Sequence, residues 1–180
     1  LIQESQMMKA VFTDIIAHKE LGGIQVYWDD RGKILESTIE NASRYDIMAI
    51  PAKLADRLPE VHDFLAHFGK YEKPPFSVDV LDFSGFSEFT VTVYKTLFTI
   101  PKGVLVTYGE LAEMAGYARA ARAVGTAMRK NRFLMLVPCH RVIASNSLGG
   151  FTTGIETKIA LQNHEGVDLS AIKDERLLWH

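Results

Sequence analysis

The strongest constraint on the fold is Thr107-Tyr108-Gly109-Glu110, a threonine followed three places later by a glutamate, with Gly116 one further helical stretch along. In such a capping box each side chain satisfies an orphan amide of the first turn, so a helix starts here, and a glycine taking positive φ can end it. A short turn then leads to a second predicted helix over about Arg119 to Lys130. Two short helices across a glycine-containing turn form a helix-turn-helix candidate, with basic residues on and just past the second helix.

The rest of the second half also reads as helical. Phe89, Val93, Leu97 and Ile100 share a face after Ser87, an N-cap type, and Pro101 with Gly103 stops the run. Thr153-Gly154-Ile155-Glu156 is read as another capping box, opening a helix to about His164 before Gly166. The first half has a different period. Residues 7–40 alternate in short strands, with turns at Gly22-Gly23 and Asp30-Arg31-Gly32. Leu54, Leu58, Val61, Leu65 and Phe68 predict a helix over about 54–68 that Pro59 can split, and Val78 to Phe83 reads as one more strand. The expected class is α+β. Residues 1–85 would form an N-terminal domain of antiparallel sheet with helix, and residues 86–180 a mainly α domain carrying the helix-turn-helix and the active site. A length of 180 residues accommodates two such small domains, and a hydrophobic fraction of 47% can fill their cores.

Net charge is −2, a mild total that hides polarity along the chain. Residues 1–83 balance to −5, residues 84–143 to +5, and residues 144–180 to −2. From Tyr117 to Arg141 there are six basic residues (Arg119, Arg122, Arg129, Lys130, Arg132, Arg141) and no acidic one, a footprint suited to phosphates. Six charges alone would more often be a solvated helix face, so position has to decide. No apolar run approaches the roughly 18 residues that span a bilayer, and the opening residues lack the pattern of a secretory signal. A soluble cytoplasmic protein is expected, nuclear in a eukaryote, with no membrane partner.

The single cysteine excludes an intramolecular disulfide and paired-cysteine zinc sites. His62 and His67 are five apart, off one helical face, so no metal and no cofactor are expected. The apolar run Phe133-Leu134-Met135-Leu136-Val137 reads as a buried strand that delivers Pro138-Cys139-His140-Arg141-Val142 from the core toward a surface. A lone cysteine there is more often a small core residue than a nucleophile. The adjacent histidine and arginine shift that balance, because cationic or basic neighbours lower a thiol pKa and the thiolate is the reactive species.

With these residues the chain resembles the O6-alkylguanine-DNA alkyltransferases. Their Pro-Cys-His-Arg-Val signature stands at 138–142, accompanied by Pro101 with Gly103, Val106-Thr107-Tyr108, Ala121-Arg122-Ala123-Val124-Gly125, Met128 with Asn131, Lys158, and His164-Glu165-Gly166. The resemblance covers about residues 87–167. It implies a ribonuclease H-like N-terminal domain and irreversible, single-turnover transfer of an alkyl group from guanine O6 in double-stranded DNA to Cys139. It also implies that His140 draws the thiol proton through a water, that Glu165 orients His140, and that Asn131 bonds the backbone around the active-site turn. These types suit the task, since a soft thiolate attacks carbon, an imidazole relays its proton and a carboxylate fixes the imidazole tautomer.

A guanine inside a duplex hides its O6 substituent, so the nucleotide must be swung out. By resemblance, Arg122 enters the vacated stack and Tyr108 crowds the 3′ phosphate and hydrogen-bonds the leaving base. The small Ala121, Ala123 and Gly125 let their helix approach the minor groove, where readout is degenerate. Arg129 and Arg141 are assigned to DNA contact as well. Val142, Phe151 and Thr152, with Lys158, are expected to line the base pocket, and the chain is expected to act as a monomer. Three departures from the pattern stand out. Asn131-Arg132-Phe133-Leu134 replaces the common Asn-Pro-x-Pro, Phe151 replaces a frequent tyrosine, and no zinc-ligand cysteines occur in the first half.

Three other readings compete. An alkyltransferase-like binder flags the lesion but lacks the cysteine, which is present here. A cysteine hydrolase would need direct contact between Cys139 and His140, which neighbours in sequence rarely make, and an oxyanion-hole motif that is not visible. A sequence-specific transcription factor would need polar base-reading side chains where Ala121, Ala123 and Gly125 sit.

Overall fold

The computed structural model describes residues 10–18, 21–39 and 49–172; the expected strand start at 7–9 and the end of the second domain at 173–180 lie outside them. Strands β1 (Val11–His18) and β2 (Gly22–Asp29) pair antiparallel from Val11 opposite Asp29 to His18 opposite Gly22. Strand β3 (Ile34–Thr38) follows across the expected turn. There Gly32 takes φ 79°, and Asp29 Oδ1 accepts from the amides of Arg31 and Lys33 at 3.0 and 2.8 Å, a side chain closing the turn as an aspartate can. A short strand β4 (Ile50–Pro51), absent from the sequence reading, adds parallel to β1 and completes the order β3-β2-β1-β4. The alternating Ile24, Val26 and Trp28 are buried, as period-two patterning requires.

Pro59 does split the first helical stretch. Leu58, at φ −138° and ψ 68°, separates α1 (Leu54–Arg57) from α2 (Pro59–Ala66), and the proline takes the first helical position, where its missing N–H costs nothing. Residues 78–83 are not the expected strand. Ser77 Oγ accepts from the Asp79 amide at 3.2 Å and winds Val78–Val80 into a 3-10 turn, leaving only Leu81 to bridge Ile34 of β3.

In the second half α3 (Glu88–Phe98) starts at Ser87, whose hydroxyl accepts from the Thr90 amide, and buries Val93, Tyr94 and Leu97. Both halves of the Thr107 capping box form at the start of α4 (Tyr108–Met114), at 3.1 and 2.7 Å, and Gly116 ends it with φ 84°. Helix α5 (Ala121–Arg129) begins two residues later than expected because Arg119 takes the left-handed conformation at φ 67°. Leu111 and Ala112 of α4 and Val124, Ala127 and Met128 of α5 are buried in the same core.

The run 133–137 is buried as expected but is not a strand. Met135 turns the backbone at φ 67°, only Phe133 bridges to Ser37 of β3, and Cys139–Arg141 form a 3-10 turn. Extended backbone resumes just after it, where β6 (Val142–Ile143) pairs parallel with β5 (Val106–Thr107). Helix α6 (Ile155–His164) begins without the expected capping box. Gly154, at φ 96°, occupies the cap position, and the Thr153 hydroxyl is buried without a hydrogen-bond partner.

One buried apolar cluster runs from Ile16 and Ile24 of the sheet through α3, α4 and α5 to Leu161 of α6. The sheet and the helical half therefore share an interior.

Candidate active site

The 3-10 turn after Pro138 places Cys139 in the wall of a cavity of about 480 Å³ lined by Tyr108, Arg122, Gly125, Met128, Arg129, Gly150, Phe151 and Thr152. Arg122, Arg129 and Thr152 are exposed, whereas Cys139 is only 7% exposed. The thiol thus lies deep but within reach of the surface, under the first turns of α5.

Asn131 holds the turn from within. Its Nδ2 donates to the Val137 carbonyl at 2.9 Å and to Cys139 Sγ at 3.1 Å, and its Oδ1 accepts from the Phe133 amide at 2.9 Å. On the far side of the turn, His140 Nε2 meets Glu165 Oε1 at 2.9 Å, both side chains fully buried. The Gln162 side chain donates to the His140 carbonyl at 2.7 Å. His140 Nδ1 is buried with no hydrogen-bond partner.

Arg141 corrects the sequence reading. It does not face DNA: at 2% exposure it grips Glu165 through Nε at 3.0 Å and Nη2 at 2.7 Å, and donates from Nη1 to the Ile100 carbonyl. Arg132 also leaves the basic surface, stacking on Phe86 and Phe133 and donating to the carbonyls of Asp82 and Ser84. Of the remaining basic residues, Arg122 and Arg129 border the cavity.

Lys158 and Val142 stand behind the cavity rather than in its wall. Lys158, fully buried, donates from Nζ to the carbonyls of Val142 and Leu148, both at 2.5 Å, and of Gly150 at 3.4 Å. It fixes the loop that supplies Gly150, Phe151 and Thr152. Val142 is buried in β6. Ala121 and Ala123 lie at the start of α5, half-buried and exposed respectively, while Gly125 packs on the Tyr108 ring, 4.0 Å from where a Cβ would stand. Gly150 is a wall residue the sequence did not single out, and Met128, quoted in the resemblance without a role, also lines the wall. Gly149 is equally silent in sequence, yet its φ of 73° and an approach of 2.8 Å between a would-be Cβ and the Tyr108 hydroxyl leave room only for glycine.

Electrostatics set the resting protonation. Burial pushes the Cys139 thiol up, outweighing the lowering by the Asn131 hydrogen bond and the Lys158 ammonium. The lowering expected from cationic neighbours is therefore overridden, and the sulfur rests as a neutral thiol. Burial likewise pushes His140 down, against the opposing pull of Glu165, which keeps the imidazole neutral and able to accept a proton. Burial alone would raise Glu165, but hydrogen bonds from His140 and Arg141 win and hold it at about 2. Burial also raises the Tyr108 hydroxyl, so it remains a donor. Among the described residues no group of His, Cys, Asp or Glu could hold a metal ion, and no helix is long and apolar enough to cross a membrane.

A buried cysteine opening on a cavity beneath a basic helix, with a histidine–carboxylate pair behind it, defines a single-thiol site on a helix-turn-helix. Comparison with known proteins names the class. The family described as 6-O-methylguanine DNA methyltransferase, DNA binding domain, matches residues 88–167. The methylated-DNA–protein-cysteine methyltransferase of Sulfurisphaera tokodaii is 42% identical over 90 residues, 50% of this chain and 56% of that protein. The O6-methylguanine methyltransferase of Mycobacterium tuberculosis superposes with a TM-score of 0.70 at 27% identity, over 94% of this chain and 99% of that one. The OGT of the same organism in complex with DNA gives 0.68 at 28% identity, over 87% and 93%. Residues 88–167 match the model of that family's DNA-binding domain, and the α+β fold is that of the alkyltransferase structures. The chain spans about half the length of the curated relatives it matches.

Proposed function

We propose that this chain repairs DNA by direct reversal, moving the alkyl carbon of an O6-alkylguanine onto Sγ of Cys139. One observation carries the reading: the only thiol of the chain lines a cavity bordered by exposed arginines of a helix-turn-helix, and a neutral imidazole fixed by a carboxylate follows it directly.

A 480 Å³ cavity is in the range that holds a small-molecule ligand, and a flipped base with a short O6 substituent is such a ligand. In the reaction the S–H bond is lost, an S–C bond forms and the C–O6 bond breaks. Guanine regains the N1 proton that its O6-alkyl tautomer lacks, so the thiol proton is accounted for and no co-reactant is needed. His140 takes that proton first, through a water at Nδ1, because its Nε2 is committed to Glu165. Tyr108 donates to the departing base. Arg122 fills the gap in the stack, and Arg129 neutralises phosphate. A thioether cannot be hydrolysed under these conditions, so each chain reacts once.

The same cysteine weighs against a binder that only flags lesions. Intact-mass analysis after exposure to duplex DNA carrying O6-methylguanine is expected to show one methyl per chain, on the peptide containing Cys139. Repeated turnover, or an unmodified chain with unchanged DNA, refutes the proposal.

A further inference from the structure

We infer that Ser37, in the third strand of the N-terminal sheet, is a positioning residue for the Cys139 turn, acting through the backbone of residues 132–135. The inference deepens the proposed alkyl transfer and rests on it.

Ser37 is a polar residue at 2% exposure whose every polar group meets the segment leading to the cysteine. Its amide donates to the Arg132 carbonyl at 2.8 Å, its carbonyl accepts from the Leu134 amide at 3.1 Å, and its hydroxyl donates to the Leu134 carbonyl at 2.8 Å. The residue after Leu134 is Met135, whose φ of 67° is unfavourable for a side chain with a Cβ and persists only where the surroundings impose it. Asn131 imposes it from inside the turn, through Phe133, Val137 and the sulfur itself. Ser37 imposes it from outside. The two together clamp residues 131–137, and Cys139 follows with its amide bonded to the Val137 carbonyl at 2.8 Å.

The segment Asn131-Arg132-Phe133-Leu134 has no proline to stiffen it. Bonds from β3 and the Arg132 contacts with Asp82 and Ser84 supply that stiffness from the N-terminal half instead. A displaced sulfur loses rate steeply, since a misplacement of about 1 Å can cost about a hundredfold.

The test compares Ser37→Ala and the pair Ser37→Thr and Ser37→Val, nearly equal in shape and differing in the hydroxyl. The readouts are the single-turnover rate with free O6-benzylguanine, and the affinity for duplex DNA. Ile24→Val, buried in the neighbouring strand, controls for loss of stability at matched Tm. Ser37→Ala and Ser37→Val are expected to react about tenfold more slowly, with DNA affinity unchanged, while Ser37→Thr and Ile24→Val keep the wild-type rate. Added to Asn131→Ala, Ser37→Ala is expected to cost much less than it does alone, because both act on one turn. Wild-type rates in Ser37→Ala and Ser37→Val, equal slowing of the Thr and Val variants, equal slowing by Ile24→Val, or strict additivity with Asn131→Ala would each overturn the inference. If the wild-type chain takes no alkyl group at all, the proposed function fails and the inference is read independently from iodoacetamide labelling of Cys139, the single thiol. A labelling rate altered by Ser37→Val but not by Ser37→Thr then supports it, and no difference between the two overturns it.

Discussion

Replacing Glu165 by glutamine removes one charge and little volume from the centre of the site, and the structure sets the size of the effect. Arg141, at 2% exposure, keeps its guanidinium charge with the carboxylate gone, and His140 is left with at most a neutral amide oxygen in place of the charged acceptor. Removing one partner of a buried ion pair costs about 3–5 kcal/mol. A second route gives a similar figure. Glu165 lies at about 2 in the folded state against 4.5 ordinarily, a difference worth about 3 kcal/mol by linkage. Because the folded value is depressed, this stabilisation is complete above pH 4.5 and disappears as pH falls toward 2, where wild type carries a neutral carboxyl much like the glutamine. Urea unfolding at a series of pH values is the assay. Glu165→Gln should be less stable than wild type by about 3 kcal/mol at pH 7, with the gap closing on acidification. A gap below about 0.5 kcal/mol at pH 7, the scale of an ordinary surface change, or one that does not narrow toward pH 2, would show that the Arg141–Glu165–His140 cluster is not the buried charge centre described.

Two further outcomes are expected. Arg122→Ala should slow repair of duplex DNA at least tenfold more than reaction with free O6-benzylguanine, since the residue is exposed where it borders the cavity; equal losses on both substrates would remove its role in base extrusion. Cys139 labelling by iodoacetamide should keep rising with pH beyond 9.0, the ordinary thiol value, because burial raises this thiol and only the anion reacts; a plateau reached below that pH would mean that burial does not raise it.

What could be read from the sequence was the local chemistry. The Thr107–Glu110 box, the Ser87 cap and the proline break at Pro59 are decided within a few residues, and each formed as expected. The resemblance names Cys139, His140, Glu165 and Asn131 together, and the structure bonds Asn131 to Cys139 and His140 to Glu165. Several of the failures share a cause: the deciding partner lay far along the chain. Arg141 counted as one more cation in a basic stretch, because nothing local revealed that Glu165, 24 residues on, would bury it. Lys158 passed for a pocket residue until the carbonyls it holds were visible. Residues 133–137 carry the apolar run of a core strand, yet among the described residues the only backbone they meet in extended pairing is Ser37, at Phe133, and Met135 turns away two residues later. At Thr153 a capping pattern was overruled by Gly154, which took the cap position itself.

Phe68, just past the end of α2, meets His140 in a T-shaped contact with centroids 5.6 Å apart and stacks on His164 at 6.0 Å. The imidazole proposed as the general base is therefore walled by a residue that the matched region, 88–167, does not contain. A fragment trimmed to that region would admit solvent beside the imidazole, so grafting the helix-turn-helix and its cysteine onto another scaffold would transplant the reactive groups without the dry lining that keeps them poised.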